Sequence, residues 1–227
     1  MPVDIEAIAW EGGTVSAVWD RADRAGAVLV LGHGAGGTLR TPDHARFTAA
    51  VAARGIAALR FNFPYAEARR RVPDRQPILE ACYRAVAAHV AERSGPAVAV
   101  FLGGRSMGGR IASHVVADGY PARGLVFLSY PLHPPREPER MRATHLERIT
   151  VPMLFVQGSR DAFARPDLLA KTLERLPTAT LYLVEGADHG LTIRDRAADE
   201  VIAEVAGATA RWVGNLTAAG GWNHPLA

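Results

Sequence analysis

Cysteine is almost absent from this sequence, and so are the features that mark secretion or membrane insertion. The chain of 227 residues has one cysteine, Cys82, so an internal disulfide is impossible and a reducing compartment is expected. The first residues include Asp4 and Glu6 where a signal peptide needs positive charge, and no apolar run reaches membrane length. We therefore expect a cytoplasmic protein with no membrane partner.

A large excess of charge of one sign is missing too. Lysines and arginines number 26 against 23 aspartates and glutamates, which leaves a formal net charge of +3. The arginines are scattered along the chain, and the densest basic group, residues 69–71, is more typical of a solvated loop than of a binding patch. Nucleic acid is therefore not an expected partner.

What the sequence does contain, after residue 25, is an alternation of two kinds of segment. Continuously apolar runs typical of strands buried on both faces lie at 27–31, 57–61, 97–102, 124–128, 153–156 and 180–184. Apolar residues at helical spacing lie at 43–54, 77–92, 108–118, 166–176 and 197–213. This order predicts right-handed crossovers and a mostly parallel α/β sheet with helices on both faces.

Two other segments complete the predicted organisation. The first 20 residues alternate around a Gly-Gly turn, which predicts an antiparallel hairpin at the sheet edge. Residues 131–150 form a proline-rich excursion that is too short for a cap domain. We therefore expect one domain over 1–227, with a sheet of about eight strands.

One serine stands among four glycines where a predicted strand meets a predicted helix. The segment GGRSMGGR contains Ser106 between Gly104 and Gly108, which fits the pattern G-x-S-x-G. In a nucleophile elbow the serine backbone is strained so that its hydroxyl projects above the sheet, and side chains two residues away would collide with neighbouring elements. The alternative is a tight glycine-rich turn with an incidental serine.

A possible acid and a possible base follow Ser106 in the order that this architecture requires. Asp161 lies in QGSRDAF and His189 in EGADHGL, each just beyond a predicted strand, so both are expected at the same sheet edge as the serine. Asp188 is a weaker candidate for the acid than Asp161, because it is adjacent to His189 and adjacent side chains usually diverge. His133 precedes Asp161 and is expected to line the pocket. The three side chains predict a Ser-His-Asp triad.

The segment LGHGAGG, residues 31–37, follows the first parallel strand and predicts an oxyanion-binding loop. Acyl transfer creates a negative oxygen that needs backbone N–H donors already aimed at it. We expect these donors at Met107, which follows the serine, and at Ala35, with His33 bracing the loop. A phosphate-cradling glycine loop is the alternative interpretation.

The segments HGAGG, RFNFPYAEARRRVPDRQP, GGRSMGGR, GSRDAF and GADHGL together resemble the α/β-hydrolase superfamily, on its small lidless side near the dienelactone hydrolases. They look most like the branch that includes testis-expressed hydrolase-like proteins and a subunit of a nuclear acetyltransferase complex. The resemblance implies the triad Ser106, Asp161 and His189 with an oxyanion hole at Ala35 and Met107. Dienelactone hydrolases have cysteine at the elbow, so their lactone specificity is not carried over to Ser106.

Several residues near these motifs are candidates for substrate contact: Tyr65, Arg69, Arg70, Arg105 and His133. Arginines in these positions would favour an anionic acyl group. The alternative is that they pair with the neighbouring acids Glu67, Asp74 or Glu80.

The expected function is that of a serine hydrolase acting on small esters or thioesters through an acyl-enzyme, with no metal and no cofactor. One alternative is an interaction module that keeps the fold and serves a larger complex. Another is an acyltransferase on the same fold. The sequence indicates no oligomeric state.

Overall fold

The computed structural model describes residues 5–218, and its strands form one sheet of eight. The strands are β1 (Ile5–Trp10), β2 (Gly13–Asp20), β3 (Ala27–Gly32), β4 (Ala57–Phe61), β5 (Ala99–Arg105), β6 (Gly124–Leu128), β7 (Met153–Gly158) and β8 (Ala179–Val184). The predicted sheet of about eight strands is confirmed. The domain expected over 1–227 also includes residues 1–4 and 219–227, which lie outside the described residues.

The strand order places a switch point beside the predicted nucleophile. The order is β1-β2-β4-β3-β5-β6-β7-β8, with β2 antiparallel to both of its neighbours and all other pairs parallel. The chain leaves β3 towards β4 and returns to the other side of β3 as β5. The loops that follow β3 and β5 therefore diverge and leave a crevice at the carboxyl ends of these strands, where α/β sheets bind their ligands.

Helices cover both faces of this sheet, as predicted. They are α1 (Pro42–Ala52), α2 (Pro64–Glu67), α3 (Gln76–Ser94), α4 (Met107–Ala117), α5 (Pro166–Leu173) and α6 (Ala198–Ala218). Helices α1 and α6 bury one apolar cluster against the sheet, and α3, α4 and α5 bury another on the opposite face. The five long helices confirm the segments with helical spacing, although α5 ends earlier and α6 ends later than the pattern predicts.

The strand before the serine runs further than its apolar residues indicate. The prediction ended it at residue 102, whereas β5 continues through both glycines to Arg105. Gly103 pairs with Leu31 on one side and Val126 on the other, and a Cβ at Gly103 would lie 2.0 Å from the Val126 carbonyl oxygen. The glycine is there because neighbouring backbone leaves no room for a side chain, not because the strand stops.

The excursion at 131–150 is a loop with one short 3₁₀ helix, Thr144–Arg148. No cap domain is built by residues 5–218. Within this part of the chain, no helix is long and apolar enough to cross a bilayer.

Three glycines let β3, β5 and α4 approach each other closely. A Cβ at Gly104 would lie 2.3 Å from the carbonyl oxygen of Gly32, and one at Gly108 would lie 2.1 Å from the same oxygen. Such distances mean that backbone packs directly on backbone at these glycines. Neither position can therefore accept a side chain unless the strand or the helix moves.

We therefore predict that Gly108→Ala lowers the free energy of unfolding by about 1–3 kcal/mol, the usual range for overpacking. The control is Gly214→Ala in α6, where an added Cβ meets nothing within 4 Å. Alanine should stabilise that helix by up to about 1 kcal/mol. Urea unfolding of both variants measures the contrast, and equal stability of the two would contradict the packing account.

Candidate active site

Ser106 occupies a strained turn between β5 and α4. Its backbone has φ 49° and ψ −112°, in the left-handed half of the map that residues other than glycine seldom enter. Its N–H donates to the carbonyl oxygen of Leu128 at 2.9 Å, which fixes the turn to the end of β6. Strain of this kind costs about 1–3 kcal/mol and persists where surrounding structure enforces it. The turn therefore has the backbone geometry expected of a nucleophile elbow rather than of an ordinary glycine-rich turn.

The side chains of Ser106, His189 and Asp161 form one chain of hydrogen bonds. His189 Nε2 lies 2.9 Å from Ser106 Oγ. Its Nδ1 lies 2.9 Å and 2.8 Å from the two carboxylate oxygens of Asp161. Since Asp161 can only accept when ionised, Nδ1 carries the proton and Nε2 is free to accept one from the serine hydroxyl. The arrangement can therefore move a proton away from Ser106.

Two residues that the sequence analysis did not single out hold the carboxylate and the imidazole. The carboxylate of Asp161 is fully buried and accepts hydrogen bonds from the Gln157 side-chain amide and the Phe163 N–H. The ring of Phe163 also packs on the imidazole of His189, with the ring centroids 4.2 Å apart. The only sequence signal for the role of Phe163 is its position shortly after Asp161 in the segment GSRDAF. Nothing in the sequence pattern marks Gln157.

Asp188 has a different task from Asp161. Its Oδ1 accepts hydrogen bonds from the N–H groups of Gly190 at 2.7 Å and Thr192 at 3.0 Å. These bonds turn the chain just after His189. The structure therefore brings Asp161 to the imidazole and leaves Asp188 shaping the loop.

The loop at 33–37 lies against the serine and is held from behind. A Cβ added to Gly34 would come within 3.7 Å of Ser106 Cβ. The hydroxyl of Tyr65 accepts a hydrogen bond from the Gly36 N–H at 3.2 Å and donates to the Gly34 carbonyl oxygen at 3.4 Å. One buried hydroxyl thus fixes both a donor and an acceptor of this loop.

His33 braces the same loop from inside the protein. Its Nδ1 donates to the Gly34 carbonyl oxygen at 2.8 Å, and its Nε2 accepts from the Phe63 N–H at 3.1 Å. Burial lowers the pKa of His33 to about 4. The ring is therefore neutral near pH 7, with one nitrogen donating and the other accepting.

Two backbone N–H groups near Ser106 are available to a ligand. Met107 is the first residue of α4, so its N–H has no acceptor within the helix. The N–H of Ala35 makes no hydrogen bond to any residue of the described chain, and Ala35 is exposed. These are the two donors that the sequence analysis expects at an oxyanion hole.

The loop also has glycines with the spacing G-x-G-x-x-G, at Gly32, Gly34 and Gly37. In a dinucleotide-binding loop this pattern opens a helix whose N-terminus holds the phosphates. Here α1 begins only at Pro42, after a turn in which Thr41 Oγ1 accepts from the Thr38 N–H. The loop therefore lacks the adjoining helix end on which phosphate binding depends.

The side chains of the candidate substrate contacts Tyr65 and His133 are almost fully buried. Tyr65 is 1% exposed and His133 is 2% exposed. Tyr65 is directed at the loop described above. His133 donates through Nδ1 to the Pro134 carbonyl oxygen and accepts through Nε2 from the Arg165 N–H. Both rings support backbone, and His133 also borders an open groove that Asp161 lines.

The arginines divide into different environments. Arg70 forms an ion pair with Asp74 at 2.6 Å, which is the pairing that the sequence analysis held as the alternative. Arg69 is exposed and has φ 55°, and no contact joins it to the serine, histidine and aspartate within residues 5–218. The Arg105 guanidinium turns towards the His189 loop and donates to the His189 carbonyl oxygen at 3.0 Å.

Known proteins share this fold. Residues 25–214 match the model of a family described as an alpha/beta hydrolase domain. An alpha-beta serine hydrolase homologue from Coxiella burnetii superposes with a TM-score of 0.76 at 19% identity, covering 94% of this chain and 98% of that one. A dienelactone hydrolase from Anabaena variabilis gives 0.75 at 15% identity, with 94% and 97% covered. A serine hydrolase without a lid from Xanthomonas campestris gives 0.72 at 18% identity, with 93% and 96% covered.

The support of the loop by Tyr65 can be tested by removing its hydroxyl. We predict that Tyr65→Phe lowers turnover of a short activated ester about fivefold, since one neutral hydrogen bond contributes about 1 kcal/mol. The matched control is Tyr182→Phe, which loses a hydroxyl bonded to Glu204 on the surface. Turnover by the control should stay within about twofold of wild type. Equal activity of the two variants would contradict the assignment of Tyr65 as a support of the loop.

Four buried or partly buried histidines predict how the free energy of unfolding depends on pH. Burial lowers the pKa of His33 and His114 to about 4 and that of His44 and His145 to about 3, from 6.5. Below pH 6.5 these histidines bind protons in the unfolded chain but stay neutral in the folded chain. The free energy of unfolding should therefore fall between pH 6.5 and 5, by up to about 1.4 kcal/mol per pH unit for each histidine. Urea unfolding across this range measures the slope, and a flat profile would contradict it.

Proposed function

The chain belongs to the α/β-hydrolase family, and on that basis we propose that it is a serine hydrolase of small carboxylic esters or thioesters. The observation that carries the proposal is the unbroken chain of hydrogen bonds from Asp161 through His189 to Ser106. An interaction module has no need of a strained serine, a buried carboxylate and an imidazole in mutual contact. The proposal needs no metal ion or cofactor, because these side chains supply the nucleophile and the base.

In the proposed first half-reaction, Ser106 Oγ attacks the acyl carbon while His189 Nε2 takes the hydroxyl proton. Asp161 holds the Nδ1 proton and stabilises the imidazolium that forms. The N–H groups of Met107 and Ala35 donate to the oxygen that becomes negative. His189 then gives its proton to the departing alcohol or thiol, which leaves the acyl group on Ser106.

In the second half-reaction, water takes the place of the departed alcohol or thiol. His189 removes a proton from the water as it attacks the acyl carbon, and the same histidine then returns that proton to Ser106 Oγ. The products are a carboxylic acid and the free enzyme. An acyltransferase would use another acceptor in place of water at this step, with the same residues in the same roles.

The preference for small substrates rests on what surrounds the serine. The segment 131–150 adds a loop and a single short 3₁₀ helix where a cap would stand, and Ser106 is partly exposed at the crevice between the loops after β3 and β5. A short acyl group needs no enclosing cap to reach such a site.

Three further assignments are part of the proposal. We propose that the chain belongs to the branch with testis-expressed hydrolase-like proteins, which its sequence segments resemble, and that one domain spans 1–227. The single cysteine, Cys82, is free and buried, which suits a cytoplasmic location.

Replacing Ser106 with alanine tests the function. The change removes the nucleophile without adding bulk, so turnover of a short activated ester or thioester should fall by several orders of magnitude. The free energy of unfolding should not fall, because removing this partly exposed hydroxyl removes no buried contact. Ser16→Ala is the control, since it also loses a serine hydroxyl hydrogen bond, to Glu67.

Product analysis belongs to the same experiment. Release of the free carboxylic acid in water supports hydrolysis. Recovery of the acyl group only as a new ester of an added alcohol supports acyl transfer. Equal turnover by wild type and Ser106→Ala would contradict both and would favour the interaction module.

A further inference from the structure

A cavity separate from the proposed active site lies behind the His189 loop, on the side of the sheet covered by α1 and α6. Its volume is about 70 Å³. Its walls are mainly apolar and include Phe47, Leu128, Leu191, Ile193, Val201 and Ile202. Ser106 and His189 do not line it, and neither does the loop at 33–37. A molecule bound there would not touch the nucleophile.

Arg105 places a positive charge at this apolar cavity. Its one hydrogen bond within residues 5–218 goes to the His189 carbonyl oxygen at 3.0 Å, and no carboxylate of these residues forms an ion pair with it. Burial lowers the pKa of Arg105, and the negative charges of Asp43, Asp188 and Asp161 oppose that effect; Asp43 itself lines the cavity. A largely buried guanidinium without a contacting carboxylate is costly, and its planar fork suits a carboxylate in two parallel hydrogen bonds.

His44 offers a second unused polar atom. The residue lines the same cavity and is 2% exposed. Its Nε2 donates to the Leu31 carbonyl oxygen at 3.3 Å, whereas its Nδ1 is buried and has no partner among the described residues. Since Nε2 carries the ring proton, Nδ1 is an acceptor, so the partner it lacks is a hydrogen-bond donor such as a water in the cavity and not a carboxylate.

The wall of the cavity nearest the active site is a strained loop. Leu191, two residues after His189, has a left-handed backbone with φ 54°, and it lines the cavity together with Ile193. Residues in this conformation occur where surrounding contacts impose it, often at functional sites. Arg105 lines the cavity and also donates to the His189 carbonyl oxygen, so a ligand on the guanidinium would contact the side chain that holds this loop.

We propose that this cavity binds a short unbranched carboxylate, with its carboxylate on Arg105 and its chain between the His189 loop and α6. The bound acid competes with the His189 carbonyl oxygen for the guanidinium and so loosens the loop that carries the base. Carboxylic acids are the products of the proposed reaction, so the site would act in product feedback. That last step rests on the proposed function, whereas binding of the acid does not.

Binding is tested first, with hexanoate as the probe and Ser106→Ala protein so that turnover plays no part. Calorimetric titration should give saturable binding, weakened at least about tenfold in Arg105→Gln. Arg148→Gln is the control, since Arg148 is an exposed arginine paired with Asp118. It should bind as the parent does. The alcohol 1-hexanol should bind at least about tenfold more weakly than hexanoate.

Two variants test the place of binding. Ile202→Phe fills the cavity from α6. Ala198→Leu narrows the mouth of the cavity, and because Ala198 is exposed the larger side chain should not impair folding. In the Ser106→Ala protein both changes should abolish hexanoate binding, and in the protein that keeps Ser106 both should leave ester turnover near the wild-type rate. Binding that survives in both folded variants, or equal binding of hexanol, would overturn the proposal.

Kinetics then test the feedback. Hexanoate should lower kcat of the wild type up to about tenfold, the loss expected for one charge-assisted hydrogen bond, with KM changed by less than about twofold. Inhibition should disappear in Ala198→Leu. Competitive inhibition that persists in this variant would place the acid at Ser106 and overturn the feedback. If the wild type turns over no ester, the proposed function fails, and the titrations still decide the site.

Discussion

Three backbone segments meet at Gly32, Gly104 and Gly108 with no space for a side chain between them. A Cβ at either of the last two would lie within 2.3 Å of the Gly32 carbonyl oxygen. Because the end of β5 and the start of α4 are pressed against β3 in this way, the residues between them must reverse direction sharply, and Ser106 takes up the left-handed geometry. The serine hydroxyl and the first N–H groups of α4 then face the same crevice.

The loops that complete the site are irregular, so side chains hold them in place. Tyr65 fixes the loop after β3, Gln157 and Phe163 fix the carboxylate of Asp161, and Asp188 turns the chain after His189. Tyr65, Gln157 and Asp161 are buried, where losing a hydrogen bond costs more than it does at the surface. Such an arrangement keeps donors and acceptors in position before any substrate arrives, which is what stabilisation of a developing charge requires.

The parts of this structure that could be predicted from the sequence are those that have a local signal. Continuous apolar runs predicted six parallel strands, and glycines around one serine predicted the elbow between β5 and α4. The choice of Asp161 over Asp188 followed from the divergence of adjacent side chains. The roles of Tyr65 and Gln157 could not be predicted, because each depends on hydrogen bonds that form only in the folded chain. The Tyr65 hydroxyl reaches backbone about thirty residues away.

The account depends most on Ser106 being a nucleophile that His189 activates, and covalent labelling measures this directly. Intact mass spectrometry after treatment with a fluorophosphonate, followed by peptide mapping, should find a single adduct on Ser106. In His189→Ala the rate of labelling should fall at least about a hundredfold, because the base that takes the hydroxyl proton is gone. Labelling at another residue, or an unchanged rate in His189→Ala, would contradict the account.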